Sequence, residues 1–132
     1  MTLDSSAVIG LLDRRDPHHA ELHAALGAAS RPHLLPATVL CEIGWYSEQR
    51  LPAATFDRFL GSVESGELKL DCGERDIPRV RGLIARYADL GLGSADAFVA
   101  ACAERNGGRV LTLDRRHFDV LGRELGLTVL PA

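Results

Sequence analysis

Lysine is almost missing from this chain of 132 residues: Lys69 stands alone beside fourteen arginines. Chemistry that needs an amine near the end of the chain is thereby excluded. Cysteine is scarce as well. Cys41, Cys72 and Cys102 are odd in number, far apart and outside metal-ligand spacings. They exclude a disulfide framework or a zinc site and read as reduced thiols of a cytoplasmic protein. No apolar run approaches the roughly 20 residues of a membrane span. No basic stretch followed by an apolar one opens the chain, so no signal peptide and no membrane association are expected. Repeats, linkers and low-complexity segments are absent too. One domain over residues 1–132 is expected, and a domain near this size buries about two thirds of the surface its unfolded chain exposes. The composition, 46% hydrophobic and 25% charged, supplies a core without staples.

The net charge of −3 is a weak argument against a nucleic-acid partner. With four of the eighteen acids gathered around cations, fourteen would remain against fifteen basic residues. Arginine pairs with phosphate through a planar fork, although an arginine preference also follows from a GC-rich genome.

The stretch Val110-Leu111-Thr112-Leu113 has strand character and runs into Asp114-Arg115-Arg116. Gly107-Gly108 ends the helix before it. A strand buried on both faces belongs to a parallel sheet, whose carboxyl edge binds ligands. The chain opens likewise: Thr2-Leu3 is a minimal strand, Asp4 follows, and Ser5 to Asp13 has helical apolar spacing. Asp16-Pro17 predicts a helix start running to Gly27. His33 to Leu35 reads as a strand, Thr38 to Gln49 and Pro52 to Ser65 as helices, and Leu68 to Asp71 as a strand. Glu74 to Leu90 and a nearly all-apolar segment capped by Ser94 and ending at Arg105 read as helices. His117 to Leu125 is helical, and Leu127 to Leu130 is a last strand. Strands alternating with single or paired helices predict an α/β fold.

Four acids stand where a bland residue would serve better. Asp4 and Asp114 lie at strand ends, and Asp96 lies in the first turn of an apolar helix. Glu42 shares helical spacing with Val39, Trp45 and Tyr46, which predicts an inward-facing carboxylate. Each has a bland alternative: a dipole partner for Asp96, an arginine pair for Glu42, helix caps for Asp4 and Asp114. In a parallel fold all four reach the same sheet edge. Clustered carboxylates must take up protons or hold a cation. An oxygen-only ligand set suits Mg²⁺ or Mn²⁺, and that arrangement fits phosphodiester hydrolysis. Ser6 is placed to support a ligand carboxylate, and Arg115 and Arg116 to hold substrate phosphates. The alternative for the arginines is a solvated first helical turn.

These residues, in this order, resemble a known family. Asp4-Ser5-Ser6-Ala7-Val8-Ile9 with Leu12-Asp13, then Glu42-Ile43 with Tyr46, resemble the first two acidic motifs of PIN-domain ribonucleases. Arg86 to Ala97 resembles the third, and Leu113-Asp114-Arg115-Arg116-His117-Phe118 the fourth, in the form common among VapC-type toxins. The resemblance covers residues 2 to 131. It implies a three-layer sandwich with a central parallel sheet of four to five short strands and helices on both sides. It implies a Mg²⁺- or Mn²⁺-dependent endoribonuclease acting as the toxin of a toxin–antitoxin pair, a cognate antitoxin and a homodimer. Carried over by position, the metal and catalytic carboxylates would be Asp4, Glu42, Asp96 and Asp114, with Ser6 in support; Asp89 falls outside that set. Two departures stand out: the strand before Asp4 is short, and Ser5 stands where threonine is common.

Other classes fit less well. A receiver domain needs a second acid beside Asp4 and a lysine after the last strands. An aspartate-nucleophile phosphatase needs an acid at position 6, where Ser6 stands. His18, His19 and His23 lack a third zinc ligand nearby. A flap-cutting DNA nuclease needs more acids and a long arch. The rival of a different class is a catalytically silent module of the same fold that binds RNA or protein. If the helices from Thr38 and Pro52 form a clamp exposing Trp45, Phe56 and Phe59, that pair would receive the antitoxin; the alternative is that these aromatics are core.

Overall fold

The computed structural model describes residues 1–132. Five strands, β1 (Thr2–Leu3), β2 (His33–Pro36), β3 (Leu68–Asp71), β4 (Arg109–Leu111) and β5 (Thr128–Leu130), lie parallel in one sheet. Their order is β3-β2-β1-β4-β5. Seven helices connect them: α1 (Ser5–Leu12), α2 (His19–Ala28), α3 (Leu40–Arg50), α4 (Thr55–Glu64), α5 (Ile77–Arg86), α6 (Ser94–Arg105) and α7 (Arg115–Leu125). None is long and apolar enough to cross a membrane. The chain winds outward from β1 to β3, crosses back to β4, and then winds outward to β5. Right-handed crossovers put α1 to α4 on one face and α5 to α7 on the other. The contacts agree: α1 packs on α2 and α3, α3 on α4, and α6 on α5 and α7.

The shortest strand sits in the middle. Thr2 pairs with Leu34 on one side and Val110 on the other, and Leu3 pairs with Leu111. Leu3, Leu35, Val110 and Leu111 are buried, as a sheet covered on both faces requires. α6 is the central helix its composition predicts: Ala97 and Val99 through Ala103 are all buried. Small alanines allow α6 to lie close to the sheet. Its last residue, Arg105, closes the far edge. Its guanidinium donates to Asp76 at 2.7 and 2.8 Å and to Asp71 at 2.9 Å. Those bonds tie the end of β3 and the start of α5 to α6, and they hold the guanidinium even more firmly protonated than usual.

Several boundaries differ from expectation. Asp16-Pro17 does not open α2. Asp16 Oδ1 accepts from the His18 amide at 2.7 Å, and its carbonyl accepts from the His19 amide at 3.1 Å. The pair forms a turn, and the helix begins at His19. Pro52 likewise sits in a turn, with its carbonyl bonded to the Thr55 amide at 3.0 Å. Residues 37–39, 74–76 and 88–90 are short 3₁₀ turns at helix boundaries. The cap of α6 is Gly93, and Ser94 is its first residue. β4 ends at Leu111; the Thr112 amide still donates to the Leu130 carbonyl at 2.9 Å, and from there the chain runs through Leu113 to the site.

Phe118, on α7, is fully buried in the core shared by both layers. Phe118→Ala should lower the unfolding free energy by about 3–5 kcal/mol. Urea unfolding measures it, and a loss under about 1 kcal/mol would contradict this packing.

Candidate active site

β1 and β4 are neighbours at the point where the strand order reverses, the place where open α/β sheets form a crevice. Asp4 follows β1 directly and is 2% exposed. It occupies the cap position of α1 yet makes no side-chain cap bond. Its Oδ2 instead accepts two hydroxyl hydrogen bonds, from Ser6 and from Thr112, each at 2.7 Å. Both hydroxyls are themselves anchored. Ser6 Oγ accepts from the Leu113 amide at 2.9 Å, and Thr112 Oγ1 accepts from the Asp114 amide at 3.0 Å. The lone pairs of one Asp4 oxygen are thus taken, while Oδ1 has no donor.

Asp114 does cap its helix. Its Oδ1 accepts from the His117 amide at 3.2 Å, and its Oδ2 meets His117 Nδ1 at 2.8 Å. The same ring nitrogen lies 3.2 Å from Asp96 Oδ2. Donor atoms of Asp96, Asp114 and His117 all lie within 4.8 Å of one another. The hydrogen bond to Asp114 is the main reason that His117 is pushed toward its charged form.

Asp96, in the first turn of α6, reports on the whole cluster. Its pKa is pushed up from 3.8 to about 6, first by burial, then by the charges of Asp4 and Asp114, with Glu42 adding to them and His117 opposing. A carboxylate serving only the helix dipole would move the other way.

Glu42 corrects one expectation. The buried residues of α3 and the turn before it are Val39, Ile43, Gly44 and Ser47, so Glu42 lies off the inward face and is exposed. Its Oε2 accepts from Ser5 Oγ at 3.0 Å, which fastens it to the first turn of α1. Trp45 is 64% exposed, Phe56 is half-buried and Phe59 is buried. Only the tryptophan is a free aromatic; the Phe56 ring lies against Gly44, within 3.0 Å of where a Cβ would stand. Arg115 is engaged by Asp119 at 3.4 Å and by the Pro131 carbonyl. Arg116 is exposed and makes no ion pair. Arg14, Arg15, Arg50 and Arg58 line a cavity of about 640 Å³ at the other end of α1.

Sequence reasoning missed Ser5, Thr112 and His117. Thr112 carried a signal: a hydroxyl two residues before an acid, within an otherwise apolar strand. So did His117, one helical turn beyond Asp114.

A model of the PIN domain family matches residues 1–124. The chain belongs to the PIN domain family. A curated relative is ribonuclease VapC26 of Mycobacterium tuberculosis (strain ATCC 25618 / H37Rv), 29% identical over 136 residues, with 99% of this chain and 100% of the relative covered. The crystal structure of M. tuberculosis VapC20, described as a sarcin-ricin loop cleaving toxin, superposes with a TM-score of 0.76. That likeness covers 92% of this chain and 94% of VapC20 at 14% identity. FitAcB of Neisseria gonorrhoeae superposes with a TM-score of 0.65 at 17% identity, covering 97% of this chain and 94% of the other. The two structures support the fold: a PIN-like α/β sandwich.

The raised Asp96 pKa has a thermodynamic sign. Between pH 3.8 and about 6 the folded protein binds more protons at Asp96 than the unfolded chain does. Stability from this residue is therefore lost as pH rises through that window. In chelator, Asp96→Asn should raise the melting temperature at pH 7.5 by several degrees and leave it nearly unchanged at pH 4. An equal shift at both pH values would show that the carboxylate is not crowded.

Proposed function

We propose that this chain is a divalent-metal-dependent endoribonuclease that hydrolyses RNA phosphodiester bonds and acts as the toxin of a toxin–antitoxin pair. One observation carries the reading. Asp4 is buried without capping a helix, and burial of Asp96, followed by the charges of Asp4, Asp114 and Glu42, pushes Asp96 up to about 6. A structural protein has no use for four acids that repel one another. The relatives supply the substrate class: VapC26 is named a ribonuclease, and VapC20 cleaves the sarcin-ricin loop.

The donor set fits Mg²⁺ or Mn²⁺. Asp4 has a free Oδ1, Asp96 is short of positive charge, and most of the donors are carboxylate oxygens. Asp4, Glu42, Asp96 and Asp114 would hold the ion, with Ser6 and Thr112 fixing Asp4. A bound divalent ion supplies positive charge to the developing phosphoryl oxyanion and acidifies a water molecule. The side chains contribute position. Ser5 aims Glu42, and the amide of His117 aims Asp114. Arg116, exposed and unpaired, is the arginine free to meet a substrate phosphate; Arg115 would first have to leave Asp119. The partners assigned are an RNA substrate, a cognate antitoxin and a second copy of the chain. The exposure of Trp45 on α3 supports the reading that α3 and α4 receive the antitoxin.

Purified, partner-free protein should cut total cellular RNA into discrete fragments with Mg²⁺ or Mn²⁺ and not with chelator. Asp4→Asn and Asp96→Asn should lower the rate at least about a hundredfold while staying folded. Full activity in either variant would remove that residue from the site. No cleavage by the folded wild type would point to the silent binding module. Antitoxin binding should slow hydrogen exchange in α3 and α4, and unchanged exchange there would relocate the docking face.

A further inference from the structure

The four-carboxylate set leaves out the side chain that lies nearest to two of its members. His117 is 14% exposed and sits in the first turn of α7. Its Nδ1 is 2.8 Å from Asp114 Oδ2 and 3.2 Å from Asp96 Oδ2. These distances fit a hydrogen-bonded imidazole. They also fit the edge of a coordination shell: neighbouring ligands of an octahedral ion at about 2.1 Å stand about 3.0 Å apart. The backbone amide of His117 already binds Asp114 Oδ1, so Oδ2 is the oxygen turned toward the ring. An ion held between Asp96 and Asp114 would take the place of the proton that Nδ1 shares with them, that proton leaving to solvent, and would find the ring nitrogen within its coordination sphere.

We infer that His117 is a nitrogen ligand of the divalent ion, and that it biases the site toward Mn²⁺ over Mg²⁺. The inference rests on the carboxylate reading above and adds a ligand to it. Its chemical basis is the donor atom. Imidazole suits transition ions, whereas Mg²⁺ keeps to oxygen and water. Four carboxylates alone would discriminate little between the two.

The test separates ligation from positioning. His117→Asn keeps an amide donor near the place of Nδ1, so hydrogen bonds to Asp96 and Asp114 can persist without the ring nitrogen. Mn²⁺ and Mg²⁺ affinities are measured by calorimetry on the wild type and on His117→Asn and His117→Gln. Folding is checked by circular dichroism in chelator. Both variants should bind Mn²⁺ at least about tenfold more weakly, with Mg²⁺ affinity changed less than about threefold. Pulsed electron paramagnetic resonance of the Mn²⁺-loaded wild type should show a directly coordinated nitrogen. Labelling the histidines with the heavy nitrogen isotope should change that coupling, and the variants should lack it. The spectrum needs only the wild type, so it stands even where a variant folds poorly.

A Mn²⁺ complex without nitrogen coupling would overturn the role of His117 and leave the carboxylates in place. Equal loss of both ions in His117→Asn would do the same. A wild type that binds neither ion would remove the carboxylate reading and this inference together.

Discussion

Burying a charge is costly unless something answers it, and Asp4 is buried at the centre of the molecule. Two hydroxyls answer it on one side. Ser6 and Thr112 each give a hydrogen to Asp4 Oδ2 and each receive one from a backbone amide just past β4. No donor in the chain answers the other oxygen. The latch fixes where β1 ends, how the chain leaves β4 and where Asp114 begins its helix. It also requires β1 and β4 to be neighbours, which the sheet order provides. The shortness of β1 is explained by the same arrangement. Two residues suffice because both neighbours hold them, the Asp4 amide adds a bond to the Leu111 carbonyl at 3.0 Å, and the Asp4 side chain is latched.

Around that latch the fold collects like charges. Each acid arrives by a different route: Asp4 from a strand end, Asp114 from a helix cap, Asp96 from the opening of the central helix, Glu42 from a helix edge fastened by Ser5. The imidazole of His117, between Asp96 and Asp114, is the only basic side chain in contact with the cluster. Arg115 and Arg116 point elsewhere or remain in solvent. The site is thus built to be short of positive charge, and the rigid apolar scaffold bears the cost. Small side chains on α6 allow that scaffold to be compact where the site needs it.

Much of this was legible in the sequence. The five strands and the central helix from Ser94 to Arg105 follow from apolar runs punctuated by glycine and proline. Three of the four acids could be placed at the sheet edge because strand ends and helix starts meet there in any parallel fold. The rest depends on three dimensions. Spacing put Glu42 inward with Trp45, but the buried stripe of α3 runs through Ile43 and Gly44, and both residues face out. Asp16 and Pro17 have the chemistry of a helix start and spend it on a turn. Thr112 and Ser6 lie 106 residues apart, and nothing local marks them as partners. His117 looked like part of a motif, and only its distance to Asp96 shows what it can touch.

The latch joins residues 106 positions apart, and proteins are made in one direction. Asp4 and Ser6 leave the ribosome well before Thr112, Asp114 and His117. A nascent chain carries its first carboxylate unlatched and its site in two pieces until His117 has been synthesised. An activity that needs this constellation therefore begins only once both parts of the site have emerged. For the ribonuclease proposed above, the order of synthesis would keep the site in two pieces while the message is being read.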